Sequence, residues 1–167
     1  MIIRHASKDD CAAIAEIYNH AVVHTAAIWN DKTVDTDNRI AWYEARQIAG
    51  YPVLVSEENG VINGYASFGD WRAFDGFRHT VEHSVYVHPE HQGKGLVALI
   101  AEAKRLNKHV MVAGIEAQNE ASLHLHHTLG FITTGQMPQV GTKFGRWLDL
   151  TFMQLQLDDR RDPDGGA

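Results

Sequence analysis

Apolar positions along this chain change period several times, and each change marks an element. Residues 2–6 read as a short opening strand, and Ser7 is placed to cap a helix before Lys8-Asp9-Asp10. Cys11, Ile14, Ala15, Ile17, Tyr18, Ala21 and Val22 then recur at the spacing of one helical face. A second helix is predicted within 34–48, with Trp42 and Tyr43 on its apolar side and Gly50-Tyr51-Pro52 ending it. Residues 53–56 and 61–68 form a hairpin around Glu58-Asn59-Gly60, where Asn-Gly is a strong turn signal. Residues 80–87 make a central strand that Pro89 ends. A helix over 96–107, a strand over 109–115 and a helix over 119–129 closed by Gly130 follow, then strands over 131–136 and 144–157. The predicted order is β-α-α-β-β-β-α-β-α-β-β, an α/β (α+β) chain.

Composition narrows the class. A chain of 167 residues suits one domain, with residues 1–157 as its body and 158–167 as a flexible acidic tail that has almost nothing to bury. Hydrophobic content of 44% and charged content of 22% are ordinary for a soluble globular protein. No apolar run is long enough to span a bilayer and no signal peptide is read. Cys11 alone cannot form an internal disulfide, which agrees with a reducing, cytoplasmic setting, and its place on an apolar helical face marks it as packing. The formal charge of −6 argues against a nucleic-acid surface. It does not argue against a small anionic ligand, which oriented backbone N–H groups and a few cations can hold.

Such a ligand site is visible at Gln92-Gly93-Lys94-Gly95-Leu96, directly after the central strand and before a helical pattern. Successive N–H groups at a helix N-terminus favour an anion, glycines let the main chain come close to a phosphate, and Lys94 adds charge. The spacing is neither that of a P-loop nor that of a dinucleotide fingerprint.

The order of that loop, with Asn119 and Leu125-His126-His127-Thr128-Leu129-Gly130-Phe131 downstream, resembles the GNAT N-acetyltransferases. Trp29-Asn30, Gly69-Asp70-Trp71-Arg72, Thr80-Val81-Glu82-His83-Ser84-Val85-Tyr86-Val87 and Gln136-Met137-Pro138-Gln139-Val140-Gly141 are similar to the phosphinothricin and methionine sulfoximine N-acetyltransferase branch. So is Lys143-Phe144-Gly145-Arg146-Trp147, and the segments together cover nearly the whole chain. The resemblance implies the GNAT fold, acetyl-coenzyme A as cosubstrate, a small amino acid or toxic analogue as acceptor, and a homodimer. It also implies roles. Glu82 would be the general base, and the backbone of Val85, Tyr86 and Val87 would pair with the pantetheine arm. Gln92, Gly93, Lys94, Gly95, Leu96 and Val97 would hold the pyrophosphate, and Asn119 would bind the pantetheine while capping its helix. Arg72, Ala73 and Phe74, with Glu82, His83 and Ser84 opposite, would bind the acceptor, Arg72 by its carboxylate.

Some positions stay open. His126 stands where many relatives carry a tyrosine that protonates the leaving thiolate; it reads equally as an acid or as packing. His124 and His127, three apart on one helical face, give only a weak metal signal, and no metal is expected. Val97 occupies the place of a second glycine, and the helix after it reads about five residues short, which is about 500° of helical rotation. A loss of that size is expected to turn the apolar face away from the sheet. Either the first turn is rebuilt or residues are absent between Leu96 and Val97, and the second is favoured. Two rivals to small-molecule acetylation are carried forward: acetylation of protein N-termini or lysines, and a non-catalytic acyl-coenzyme A sensor.

Overall fold

The computed structural model describes residues 1–87 and 93–165. Among them a seven-stranded sheet runs in the order β1-β2-β3-β4-β5-β7-β6. Its strands are β1 (Ile2–His5), β2 (Val53–Glu58), β3 (Val61–Asp70), β4 (Thr80–Val87), β5 (Val110–Glu116), β6 (Ile132–Lys143) and β7 (Arg146–Gln156). The helices are α1 (Cys11–His24), α2 (Thr36–Ile48), α3 (Lys94–Arg105) and α4 (Glu120–Thr128). Every neighbouring pair is antiparallel except β4 and β5, which are parallel and joined across α3. The predicted order of elements is the one observed.

Local chemistry accounts for most boundaries. The Asp35 side chain accepts the Asn38 N–H at 2.8 Å and starts α2, and Asn119 accepts the Ser122 N–H at 3.1 Å and starts α4. Asn59 and Gly60 both take positive φ in the β2–β3 turn, as do Phe144 and Gly145 between β6 and β7.

Alternation along the strands sorts the core into two layers. One face carries Ala66, Phe68, Val81, Met111, Ala113 and Ile115 under Leu96, Leu99 and Ala103 of α3, with Leu123 of α4 against the same cluster. The other carries Val53, Val55 and Tyr65 under Ile14 of α1, with Trp42 and Tyr43 of α2 beside them.

Two expectations are corrected. The apolar face of α3 does not turn from the sheet. The chain passes through Leu96 and Val97 within one helix that begins at Lys94, so loop residues form its first turn. Leu96, Leu99 and Ala103 fall on one buried face, and Val97 is left 52% exposed. The second correction concerns β6, expected to stop at residue 136 but running to Lys143. Pro138 and Gly141 read as breakers, yet β6 is the sheet edge, where a missing N–H costs little. A register shift between Met137 and Gly141, with Gln139 at φ 55°, absorbs the extra residues.

The described part of the C-terminal segment touches the body. The Asp158 carboxylate lies 2.6 Å from His109 Nδ1, and Arg78 pairs with Asp164 at 2.6 Å. No described helix is long and apolar enough to cross a membrane.

Candidate active site

The parallel ladder between β4 and β5 holds only at Thr80↔Val110, Val81↔Met111 and Glu82↔Val112. Beyond Glu82 the strands have no ladder, and the gap opens a cleft of about 820 Å³. His83, Ser84, Val85, Tyr86 and Val87 line one side of it, Gly114, Ile115 and Glu116 the other. Gly93, Leu96, Asn119, Ser122 and Leu125 close its α3–α4 side, and Glu16, Ile17 and His20 of α1 border the opposite side. Gly93 caps α3 at φ 101°, a conformation that side-chain-bearing residues rarely adopt, and lines the cleft with Leu96, so the N-terminus of α3 borders that space.

A smaller pocket of about 210 Å³ adjoins the cleft on the α1 face of the sheet. Its floor is Glu82, Gly114, Leu150 and Phe152, and its walls are Trp29, Trp71 and Arg72. Ala27, Gly114 and Glu116 border both spaces, so the two adjoin there. Trp71 meets Phe152 edge-on at 5.4 Å, and the Arg72 guanidinium lies 4.0 Å over the Trp71 ring.

Two carboxylates stand here: Glu116 borders both spaces, and Glu82 lines the smaller pocket. The Glu82 side chain reaches across to β5, where its Oε1 lies 3.3 Å from the position a Cβ would take on Gly114. Burial raises its pKa above the ordinary carboxylate range, and the Arg72 charge pulls the other way. A half-buried carboxylate with a raised pKa beside a cation suits proton abstraction near neutrality.

The expected site residues divide into groups. Glu82 and Arg72 meet in the smaller pocket, while Ala73 and Phe74 are exposed beyond it, Phe74 at 76%. His83, Ser84, Val85, Tyr86, Val87, Gly93, Leu96 and Asn119 line the cleft. Gly95 is buried, an added Cβ there falling 3.7 Å from the Val85 and Val87 side chains, and Lys94 and Val97 are exposed on α3. Gln92 lies outside the described residues.

His126 is buried with both ring nitrogens engaged inside the protein, Nδ1 at 2.7 Å from the Ser122 carbonyl and Nε2 at 2.9 Å from His83 Nε2. A neutral His126 therefore has both ring nitrogens committed within the protein, the arrangement that suits packing. Burial lowers its pKa and, with the His126 neighbour, pushes that of His83 down to about 3. His124 and His127 are exposed, and among the described residues no group of His, Cys, Asp and Glu is arranged to hold a metal.

Sequence reasoning missed Ala27, on the loop after α1, and Gly114, Glu116, Leu150 and Phe152, which meet through strand register rather than through any local motif. Trp29 was visible only as part of a resemblance. It is held by its indole N–H donating to Ala26 O at 2.9 Å and by Gly141, where an added Cβ would fall 2.1 Å from the ring. Lys143 is buried and donates to the Val22 and Ile28 carbonyls, each at 2.5 Å, tying the β6–β7 hairpin to the segment that carries Trp29. Gly141→Ala is expected to push the indole into the smaller pocket, and stability to urea should fall by about 1–3 kcal/mol from overpacking.

The comparisons agree with this geometry. The model of the acetyltransferase (GNAT) family matches residues 13–131. The chain is 78% identical over 169 positions to the L-amino acid N-acyltransferase MnaT of Escherichia coli (strain K12), covering 98% of each. It is 77% identical over 169 positions to the L-methionine sulfoximine/L-methionine sulfone acetyltransferase of Salmonella typhimurium, covering 98% of this chain and 99% of that one. These alignments span more positions than 98% of 167 residues can fill, so the relatives carry residues with no counterpart here. A solved structure of a Salmonella typhimurium acetyltransferase with its cofactor acetyl-CoA superposes with a TM-score of 0.93 at 75% identity, covering 99% of this chain and 98% of that one. With a splayed β4–β5 cleft, a glycine-capped helix beside it and this match over more than half its length, the chain belongs to the acetyltransferase (GNAT) family.

Proposed function

We propose that this protein transfers the acetyl group of acetyl-coenzyme A to the α-amino group of a small amino acid or toxic analogue of the methionine sulfoximine or methionine sulfone type. The observation that carries the reading is that the two spaces adjoin: Glu82 lines the Arg72 pocket, with its Oε1 3.3 Å from the position of a Cβ on Gly114, and Gly114 borders the cleft as well. The names of the relatives at 78% and 77% identity support the acceptor class.

The residues present fit the cosubstrate. The unladdered edge of β4 offers extended backbone N–H and C=O groups to an amide-bearing arm, and the α3 N-terminus offers N–H groups to its phosphates. Acetyl-coenzyme A supplies the activated thioester. The chain's own residues do the rest. Arg72 takes the acceptor carboxylate through a forked contact. An amine of pKa about 8 to 10 is mostly ammonium at neutral pH, and deprotonating it costs roughly 1.4 to 4 kcal/mol. Glu82 accepts that proton, directly or through one water. A backbone N–H of β4 beyond Glu82 stabilises the oxyanion that develops on the attacked carbonyl. Cys11, the first residue of α1, is fully buried and lines neither space, so transfer is direct, without an acyl-enzyme.

The same reading places the protein in the cytoplasm as a homodimer with a detoxifying role. Exposed Met137, Val140, Phe144 and Trp147 on and beside the β6 edge suit a covered face.

The test is coenzyme A release with acetyl-coenzyme A and a panel of amines: methionine sulfoximine, methionine sulfone, phosphinothricin, the common amino acids and a lysine peptide. Turnover confined to free amino acids and analogues is expected. Turnover on the peptide alone, or on none with the cosubstrate bound, would overturn the reading in favour of protein acetylation or of a sensor.

A further inference from the structure

The steps above leave one polar pair without a task. His83 and His126 lie on the face of β4 opposite Glu82, with rings nearly parallel at 12° and centroids 5.0 Å apart. His126 Nδ1 is 2.7 Å from the Ser122 carbonyl oxygen, with the Ser122 hydroxyl a longer contact at 3.5 Å. A carbonyl only accepts, so neutral His126 carries its proton on Nδ1 and presents a lone pair at Nε2. The Nε2···Nε2 contact of 2.9 Å then places the His83 proton on Nε2. His83 Nδ1 is left as a lone pair, buried and with no hydrogen-bond partner among the described residues. One carbonyl thus sets both tautomers.

The residue that carries that lone pair stands in the wall of a ligand-sized space. His83 lines the large cleft, whereas His126 is sealed behind it. The β4–β5 ladder closes at Glu82↔Val112, so whatever lies in the gap ends beside residue 83. From Val87 back to His83 the strand covers about 13 Å at roughly 3.3 Å per residue. An extended arm anchored by phosphate at the α3 N-terminus and lying along β4 therefore ends its run near His83. On the acetyl-coenzyme A reading, on which this inference rests, that end is the sulfur.

We propose that His83 Nδ1 accepts the S–H of product coenzyme A, and that His126 is a positioning residue that holds His83 in the accepting tautomer. In the transfer the acceptor nitrogen bonds to the acetyl carbon, the C–S bond breaks with its electron pair going to sulfur, and the proton lost by the amine is matched by the one sulfur gains. The neutral pair has no N–H facing the cleft, so it does not supply that proton; it binds the S–H once formed. The thioester sulfur has no hydrogen and gains nothing from the lone pair. The pair therefore favours the product thiol over the acyl donor.

The experiment is calorimetric binding of coenzyme A and of desulfo-coenzyme A, which has hydrogen in place of the thiol, to the intact protein and to His83→Phe and His126→Phe. Imidazole ¹⁵N spectra would be recorded alongside. A net hydrogen bond of about 0.5–1.5 kcal/mol corresponds to roughly two- to twelvefold tighter binding of coenzyme A than of the desulfo analogue. His83→Phe should abolish that difference, and His126→Phe should reduce it. The His83 Nδ1 resonance should be that of an unprotonated nitrogen and should shift with coenzyme A but not with the desulfo analogue. Equal affinities in the parent protein, a difference that survives His83→Phe, or a protonated His83 Nδ1 would each overturn the proposal while leaving the cosubstrate reading intact. Failure of both ligands to bind would overturn both.

Discussion

Glu82→Gln is expected to lower kcat by about 10² to 10⁴-fold, the range of a positioned general base, with the KM of acetyl-coenzyme A little changed. Glutamine keeps the shape that lies against Gly114 and removes only the basic oxygen, so folding should be unaffected. The pH dependence gives the sharper signature. The base must be ionised, and burial raises the Glu82 pKa, so kcat/KM should climb with pH through a limb lying above the ordinary carboxylate range. The variant should lose that limb and retain the later rise due to the acceptor amine itself. A rate profile over a wide pH range, measured for both proteins, checks this. A variant with parental rate and unchanged acid limb would remove Glu82 from the chemistry.

Arg72→Ala carries the second large effect. Loss of a charge-assisted hydrogen bond to the acceptor carboxylate costs about 1.5–3 kcal/mol, roughly ten- to hundredfold in kcat/KM. The loss should appear in acceptor KM and spare donor KM, because Arg72 borders the smaller pocket and not the cleft. Arg72→Lys should recover little, since a point charge cannot reproduce the planar fork or the stack on Trp71. The decisive control is an acceptor whose carboxylate is replaced by an amide. Parent protein and Arg72→Ala should turn it over equally slowly. If the amide is a good substrate of the parent protein, Arg72 does not read a carboxylate.

Much of this was legible before any coordinates. The Asn59-Gly60 turn, the Asn119 cap and the Gly130 stop are local signals, each set by the backbone conformation or donor it must satisfy. Glu82 was legible as a charge in a strand otherwise made for packing. What was not legible depends on register and on the third dimension. Gly114 and Glu116 are unremarkable in sequence and acquire a role only because β5 stands beside β4 and pairs Gly114 with Phe152. His83 sits next to Glu82 in the chain, which placed both in one acceptor pocket. Alternation along a strand sends them to opposite faces, and His83 joins His126 instead. The length of β6 was hidden because Pro138 and Gly141 are breakers in a central strand and tolerable in a bulged edge. For α3, counting residues against a family pattern pointed to a misdirected face. The spacing from Leu96 to Leu99 to Ala103 kept that face on the core.

The most direct test is a crystal structure of the protein with coenzyme A and methionine sulfone bound together. The acceptor's amino nitrogen is expected within hydrogen-bond reach of Glu82, directly or through one water, with its carboxylate on Arg72 and the coenzyme A sulfur at the closed end of the β4–β5 cleft. An acceptor bound with its amine away from Glu82, or a coenzyme A arm outside the gap between β4 and β5, would contradict the assignment of this site.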